Sequence, residues 1–174
     1  MNNQSRISNF QSQFQLTQSQ IDKASQIARE RFDLHKNHDS NDWTDTSIDR
    51  DVIGIKAEIT FADFYGLSVD ETLKPDGDNG YDFKVKWNGV QTVDVKGTSY
   101  PYSPKLRVRV RKVNKADIYV LISVDKDTTK IHGWATSDML RKAGITKSKY
   151  GHKNHEIENN NLRDHPPSHI ISAL

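Results

Sequence analysis

The sequence predicts an α/β protein of the α+β kind, with a central mixed β-sheet flanked by helices. Residues 19–33 and 46–65 carry apolar side chains at helical spacing, which indicates two amphipathic helices. An Asn88-Gly89 turn separates two segments of alternating apolar residues, which indicates a β-hairpin. Residues 118–124 form a near-continuous apolar run, which is typical of a central strand covered on both faces. Helices and strands in this order suit a sheet with helices packed against it.

Length and composition indicate one folded domain and a segment that does not pack into it. A chain of 174 residues is expected to form a single domain that buries about 70% of its unfolded surface. Hydrophobic residues make up 34% of the chain and glycine adds 9 residues, which together fall below the usual ~45–50%. Residues 1–20 are dominated by Asn, Gln and Ser. We therefore predict a flexible polar arm over residues 1–20 and one folded domain over residues 21–174.

The lack of cysteine and of long apolar segments indicates where in the cell the protein is located. The lack of cysteine excludes disulfides and thiolate metal sites and agrees with a reducing environment. No apolar run approaches the ~18–20 residues that span a bilayer, and the N-terminus lacks the apolar core of a signal peptide. We expect a cytoplasmic protein without a membrane partner, located in the host cytoplasm if it is viral.

The second helix carries an acidic residue beside its buried side. Thr46 is expected to cap this helix, and Gly66 to end it after residue 64 or 65. Glu58 lies one turn from the apolar stripe, on its border. This position fits a functional carboxylate that faces the sheet, and it equally fits a partly exposed surface glutamate.

The hairpin carries three charged residues that can meet on one face. Residues i and i+2 of a strand share a face, so Asp94 and Lys96 project together. A carboxylate beside an ammonium group is the arrangement that metal-assisted phosphodiester cleavage needs. Whether Asp82 joins them depends on the register of the hairpin.

Two registers are compatible with the sequence. A two-residue turn at Asn88-Gly89 sets Asp82 opposite Val95, on the other face from Asp94. A three-residue loop over residues 87–89, or a bulge of equivalent effect, sets Asp82 opposite Asp94 with β-carbons roughly 5 Å apart. We predict the second register. Two carboxylates at that distance repel each other unless a cation lies between them.

Three further strands and a helix are predicted after the hairpin. Residues 106–111 alternate apolar and arginine side chains, residues 118–124 form the central strand, and residues 130–135 form another strand. Ser137 is expected to cap a helix over residues 138–143, which Gly144 ends. Residues 155–157 complete the set as a short strand.

Charge is distributed unevenly along the chain although its net value is only +2. Acidic residues cluster at 39–51 and 70–82, and basic residues cluster at 105–115 and 141–149. An acidic pocket ringed by basic patches suits an enzyme that binds a cation and a polyanion together. The alternating arginines Arg107, Arg109 and Arg111 also fit an edge strand whose charges prevent aggregation. The residues expected to contact nucleic acid are Arg107, Arg109, Arg111, Lys112 and Lys115.

Other motifs give weaker indications. Residues 67–79 form a predicted loop whose Asp-x-Asp-x-Gly pattern lacks the glutamate of a calcium loop, and whose Asp78 is an alternative to Asp82 as the catalytic acid. The pairs His152/His155 and His165/His169 have zinc-like spacings, which we interpret as coincidence in a chain without cysteine. A His-Asn-His nuclease finger built from His152, Asn160 and His165 is a rival hypothesis. The strands and the helix that would flank such a finger are poorly matched by this part of the sequence.

Asp82, eleven intervening residues and then Asp94-Val95-Lys96 resemble the signature of the PD-(D/E)XK, or restriction-endonuclease-like, nuclease superfamily. Tyr81 stands where the family name has proline, a position that is loose in the family. An upstream helix with a glutamate, here Glu58, is a further shared feature. The resemblance covers about residues 48–136, roughly half of the chain.

The resemblance implies a restriction-endonuclease-like core and a Mg²⁺-dependent deoxyribonuclease, with Mn²⁺ as a substitute metal. It implies that Glu58, Asp82 and Asp94 hold the metal, that the Val95 carbonyl is a further ligand, and that Lys96 acts on the attacking water. DNA is the implied substrate, cut to 5′-phosphate and 3′-hydroxyl ends, and a homodimer is a further expectation.

Two alternatives stay open within the same resemblance: an inactive nucleic-acid-binding module, and a junction-resolving or recombination nuclease. Outside it, an interaction protein that uses the acidic loops is a third hypothesis. The small size and the lack of helicase motifs suggest a stand-alone nuclease, which we expect to come from a phage.

Overall fold

The computed structural model describes residues 13–36, 45–71, 80–166 and 171–173. Three helices and nine strands lie in these ranges. The helices are α1 (Gln18–Lys36), α2 (Asp45–Tyr65) and α3 (Ser137–Lys142). The strands are β1 (Gln13–Gln15), β2 (Phe83–Trp87), β3 (Val90–Thr98), β4 (Lys105–Arg109), β5 (Ile118–Asp125), β6 (Thr128–Thr136), β7 (Ile145–Lys147), β8 (Lys153–Glu158) and β9 (Ser172–Ala173).

The strands form two sheets. Six of them make a mixed sheet in the order β1-β6-β5-β3-β2-β9, in which only the β3–β5 pair is parallel. The other three make a small antiparallel sheet in the order β4-β8-β7. The predicted mixed sheet with helices is therefore confirmed, and β5 is its central strand, with seven consecutive buried residues over 118–124.

Both faces of the large sheet are covered by other elements. One face packs against α2, and α1 covers the far side of that helix. The other face packs against the small sheet and α3 through side chains that include Leu106, Tyr119, Leu140 and Ile157. The small sheet thus lies over the face of β3 that carries Asp94 and Lys96.

Helix α2 is buried on two sides rather than along one stripe. The predicted residues Ile55 and Ile59 contact α1, while Ala57 and Phe61 contact the sheet. Ala24 and Ala28 of α1 are fully buried and small, so the two helices approach closely. An interior helix of this kind loses the simple amphipathic pattern, which is why the sequence predicted only one of its faces.

Several predicted boundaries were wrong. Residues 13–20 are not part of a loose arm, because β1 pairs with β6 and Leu16 is buried. Thr136, not Ser137, caps α3 by accepting a hydrogen bond from the Met139 amide. The strand predicted over residues 106–111 ends at Arg109 in a single turn of 3-10 helix, since the chain must cross back to the large sheet. Residues 1–12, 37–44, 72–79, 167–170 and 174 lie outside the described residues, and so do the calcium-like pattern, Asp78 and His169.

Gly97 lets β3 and α2 approach each other at close range. A β-carbon at Gly97 would lie 2.8 Å from the Ile53 carbonyl oxygen and 3.2 Å from the Ala57 β-carbon. Both neighbours belong to α2, and the carbonyl cannot move without moving the helix. A side chain of any size at position 97 would therefore push α2 away from the sheet beside Lys96.

We expect Gly97→Ala to lower the free energy of unfolding by about 1–3 kcal/mol, because it overpacks a rigid contact. Gly54→Ala is the matched control: it lies inside α2 with open space around its β-carbon position, and it should stabilise the protein by about 0.5–1 kcal/mol. Urea unfolding of both variants measures the difference. A Gly97→Ala variant as stable as the wild type would contradict the close approach.

A half-buried histidine joins β5 and β6. The Ser123 hydroxyl and the His132 Nε2 atom lie 2.8 Å apart, and Ser123 is buried. Burial, and next the charge of Lys130, lower the pKa of His132 from 6.5 to about 4. The folded protein therefore binds fewer protons here than the unfolded chain between these two pH values.

The contribution of neutral His132 to the free energy of unfolding is complete above the unfolded pKa of about 6.5. It is lost as the pH falls toward the folded pKa of about 4. We expect the wild type to lose about 1–2 kcal/mol more stability than His132→Gln over this range, after allowance for the partly exposed ring. Urea unfolding at both ends of the range measures this loss. His152→Gln, in an exposed turn, is the control and should follow the wild type. Parallel curves for the wild type and His132→Gln would contradict the assignment.

Candidate catalytic site

The turn of the β2–β3 hairpin and a bulge together set the register. The turn has two residues, Asn88 and Gly89, both at positive φ (46° and 82°), and Trp87 pairs with Val90. The register then shifts between Lys84 and Trp87, so that Phe83 pairs with Val93. The three-residue loop was thus wrong, whereas the bulge of equivalent effect is confirmed. This register, continued by one residue, sets Asp82 beside Asp94, and the charge of Asp94 acts on Asp82.

Two hydrogen bonds attach Asp82 to β3. Its amide donates to the Val93 carbonyl at 2.8 Å, and its carboxylate Oδ2 accepts from the Val95 amide at 2.6 Å. The side chain thereby takes the place of a strand partner for the Val95 amide. This charge-assisted bond fixes the carboxylate against the backbone between Asp94 and Lys96.

Asp94 and Lys96 form a shielded ion pair on β3. The Lys96 Nζ atom lies 2.7 Å from the Asp94 carboxylate, and Asp94 is only 6% exposed. Burial opposes the charge on Lys96, but the charge and hydrogen bond of Asp94, together with the charge of Asp82, outweigh it and raise the pKa of Lys96. Lys96 is therefore an ammonium group at neutral pH.

Two other acids act on Asp82. Burial, then the charges of Glu58 and of Asp94, raise the pKa of Asp82 well above its usual range. Lys96 and the Val95 amide lower that pKa but only in part. Glu58 and Asp94 are thus both close enough to Asp82 to disfavour its charged form.

Glu58 reaches this cluster from α2. Its side chain is 12% exposed, so most of it is shielded from solvent. Arg31 of α1 lies 3.8 Å from its carboxylate. Sequence reasoning missed Arg31, because the contact depends on how α1 crosses α2.

Tyr119 is a second residue that the sequence did not single out. It is fully buried on β5, directly beside Asp94 in the parallel β3–β5 pair. Its hydroxyl donates to the Lys112 carbonyl at 2.6 Å and accepts from the Ala116 amide at 3.3 Å. Burial raises the pKa of Tyr119, and the charge of Asp94 adds to this. Tyr119 therefore lies beside the ion pair on the neighbouring strand.

The donor set fits a hard divalent cation in its chemistry. Within the residues that the structure describes, no three carboxylate or imidazole groups converge closely enough to hold a metal ion by themselves. Magnesium, however, is commonly bound by one or two protein carboxylates, with water and substrate phosphate completing its shell. Asp82 and Asp94 supply such a pair, and Glu58 adds negative charge beside it. Val95, whose carbonyl is the remaining predicted ligand, is buried in the core of β3.

The predicted nucleic-acid contacts divide into two groups. Arg107 forms an ion pair with Glu156, so its charge is partly neutralised. Arg109 is exposed on β4, which is an edge strand of the small sheet. The alternative interpretation, a charge-guarded edge, therefore applies to these two arginines. The exposed residues Arg111, Lys112 and Lys115 lie outside the strand, and Lys115 packs against Gly80 at the start of the hairpin.

The histidine motifs do not form a site among the described residues. His155 is buried and shares a 2.8 Å hydrogen bond with the Gly144 carbonyl, which is a structural role. His165 packs edge-on against Phe64. His152 lies in an exposed turn.

The chain matches no protein-family model, no curated protein and no solved structure. Fold and site geometry therefore define a class only at a coarse level: a mixed α/β protein with a shielded acid-lysine cluster on a hairpin. In the described part of the chain, no helix combines the length and apolarity needed to cross a membrane.

We expect Asp82→Asn to raise the stability of the metal-free protein by about 0.5–2 kcal/mol, because it relieves repulsion with Glu58 and Asp94. Asparagine keeps an oxygen that can accept from the Val95 amide. Thermal unfolding in chelator measures the change. Asp63→Asn, on the exposed side of α2, is the control and should stay within about 0.5 kcal/mol of the wild type. A destabilised Asp82→Asn variant would show that the three acids do not repel one another.

Proposed function

We propose that the protein is a metal-dependent DNA phosphodiesterase that uses the cluster of Glu58, Asp82, Asp94 and Lys96. The observation that carries this proposal is the geometry of the hairpin: the Asp82 carboxylate accepts from the Val95 amide at 2.6 Å, beside an Asp94–Lys96 ion pair of 2.7 Å whose acid is only 6% exposed. A structural ion pair needs one acid and one base. A second carboxylate packed beside such a pair costs stability unless a cation offsets its charge, and such costs are retained at functional sites.

The metal is held by Asp82 and Asp94 in this proposal. Bound magnesium supplies an activated water and neutralises charge on the phosphate. Asp82 keeps its carboxylate in place through the Val95 amide, so one oxygen is fixed and the other remains for the cation. Glu58 adds negative charge to the pocket and orients water.

Lys96 acts first as a hydrogen-bond donor. Burial opposes its charge, but Asp94 outweighs this and raises the pKa of Lys96, so in the metal-free protein it is an ammonium group at neutral pH. It orients the water with its N–H groups and offsets the charge that develops on the phosphate oxygens. The water oxygen bonds to phosphorus as the bond to the 3′ oxygen breaks. The attacking water loses one proton to solvent and the departing 3′ oxygen gains one, which leaves a 5′-phosphate and a 3′-hydroxyl.

The resemblance to the PD-(D/E)XK superfamily supports the same reaction. Asp82, Asp94 and Lys96 occupy the positions of its signature, and Glu58 approaches from an upstream helix. An endonuclease is the form that we propose, with magnesium as the metal and manganese as a substitute. An inactive binding module with this fold is the competing proposal, and the test below separates the two.

The test is incubation of supercoiled, linear, single-stranded and branched DNA with the protein in magnesium and in chelator. We expect cleavage only with magnesium, and a fall in rate of about 10²–10⁴-fold in Asp94→Asn and in Lys96→Ala. Gel electrophoresis measures the rate, and end-labelling identifies the 5′-phosphate.

Matched controls remove the effect of charge alone. Lys86→Ala deletes an exposed lysine from the same hairpin and should cleave at the wild-type rate. Circular dichroism verifies that Asp94→Asn and Lys96→Ala stay folded, since each leaves a buried partner without its counter-charge. Cleavage that persists in chelator, or that survives Lys96→Ala undiminished, rules out the mechanism. DNA binding without cleavage favours the inactive module.

A further inference from the structure

Arg31 continues the buried side of α1 as a charged residue. This side of the helix carries Ala24, Ile27 and Ala28, which are buried and pack against α2. Arg31 follows Ile27 by four residues and Ala28 by three, so it lies on the same side of the helix, one turn further on. A helix that packs on another normally has an apolar residue at such a position. An arginine there indicates a role for its charge.

The guanidinium group of Arg31 approaches the acidic cluster from α1. Its Nη1 atom lies 3.8 Å from the Oε1 atom of Glu58. The charge of Glu58 acts in turn on Asp82, whose carboxylate is attached to β3 through the Val95 amide. Arg31 therefore contacts the one acid that α2 contributes to the proposed metal site.

The contact between Arg31 and Glu58 is an ion pair rather than a hydrogen bond. A separation of 3.8 Å exceeds the ~3.2 Å limit of a good N–H···O bond, so this contact does not use up the five N–H donors of the guanidinium group. Among the residues that the structure describes, Glu58 is the only acid within ion-pair distance of Arg31. The Arg31 side chain is 33% exposed, so a ligand from solvent can reach it.

The two cations of the cluster are held with unequal strength. Lys96 is hydrogen-bonded to Asp94 at 2.7 Å, whereas Arg31 faces Glu58 at longer range. Glu58 would exchange Arg31 for a divalent cation placed among the acids, because attraction grows with charge and falls with distance. The same cation would repel the guanidinium group. Arg31 and a metal ion thus compete for one carboxylate.

We propose that Arg31 pairs with Glu58 in the metal-free protein and binds a phosphate of DNA when a divalent cation occupies the cluster. We call this change of ion pair the Arg31 exchange. The planar fork of a guanidinium group matches two oxygens of a phosphate, which a compact ammonium group does not. This inference rests on the proposed function, and it adds to Lys96 a second residue that contacts the substrate.

The Arg31 exchange couples the binding of metal to the binding of DNA. Arg31 weakens the binding of a cation alone, because its charge opposes that cation and its pairing with Glu58 must be broken. DNA removes this opposition, because its phosphate takes the guanidinium group. By linkage, metal and DNA each strengthen the binding of the other by the same factor.

A purely structural ion pair between α1 and α2 is the competing explanation. A partly exposed pair at this distance contributes little to stability. If Arg31 only joined the helices, its removal would loosen the support of Glu58, and metal would bind as before or more weakly. The Arg31 exchange requires the opposite sign, so the direction of the change in metal affinity separates the two explanations.

The first measurement is titration of the DNA-free protein with Mn²⁺, in which electron paramagnetic resonance of the unbound ion gives Kd. We expect Arg31→Gln to bind Mn²⁺ about 2- to 5-fold more tightly than the wild type, because a partly exposed opposing charge is lost. Arg31→Lys keeps the charge and should bind Mn²⁺ like the wild type. Arg29→Gln removes the same charge from an exposed position on α1 and should also leave the affinity unchanged.

The second measurement is binding of a fluorescein-labelled duplex by fluorescence anisotropy, in chelator and in saturating Mn²⁺. A phosphorothioate backbone keeps the charge of the probe and resists hydrolysis, and a gel verifies that the probe stays intact. We expect Arg31→Gln to bind within about 2-fold of the wild type in chelator and about 10- to 100-fold more weakly in Mn²⁺, where the phosphate contact is lost. Arg31→Lys should lie between the two in Mn²⁺, because it keeps the charge without the fork.

Two results would overturn the Arg31 exchange. One is Mn²⁺ binding by Arg31→Gln that is unchanged or weaker, and the other is a loss of DNA affinity that is equal in chelator and in Mn²⁺. Circular dichroism verifies that Arg31→Gln is folded. If it is not, Arg31→Met takes its place with the same expectations, because methionine keeps the aliphatic stem that packs between the helices.

The readouts separate this inference from the nuclease proposal. Tighter Mn²⁺ binding and weaker metal-dependent DNA binding by Arg31→Gln, in a protein that cleaves no DNA, would support the Arg31 exchange and overturn the nuclease. Magnesium-dependent cleavage by Arg31→Gln with the kcat and KM of the wild type would support the nuclease and overturn the Arg31 exchange.

Discussion

The hydrogen bond between the Asp82 carboxylate and the Val95 amide is the contact on which the site depends. It forms because a bulge in β2 offsets the register that the two-residue Asn88-Gly89 turn would otherwise impose. Without the bulge, the period of two would place Asp82 and Asp94 on opposite faces. One extra residue in a five-residue strand therefore decides whether the acids form a cluster at all.

The position of α2 is the second constraint. Gly97 removes the side chain that would separate β3 from this helix, and the Ile53 carbonyl occupies the space. Glu58, five residues further along α2, is thereby brought into electrostatic contact with Asp82. The packing of α2 against β3 thus also places Glu58 near Asp82, because the same helix makes both contacts.

Like charges lie close together at two places in this molecule. Glu58 and Asp94 both act on Asp82, and Lys147 lies opposite Lys153 in the small sheet. Neither arrangement stabilises the protein alone, since the acids repel one another and Lys147 lies opposite Lys153. A cation and a polyanion together would relieve both conflicts.

The sequence by itself determined the elements with strong local patterns. The two long helices, the hairpin and the buried strand β5 follow from their periodicity, and Asp94 shares a face with Lys96 because strand residues alternate. Only the tertiary structure decided the rest. The three-residue strands β1 and β7 are too short to show alternation, and the bulge in β2 has no sequence signal of its own. Arg31 and Tyr119 join the site through contacts between elements distant in the chain. Periodicity reports which face of an element is buried, whereas the partner that covers this face is chosen by packing across the whole chain.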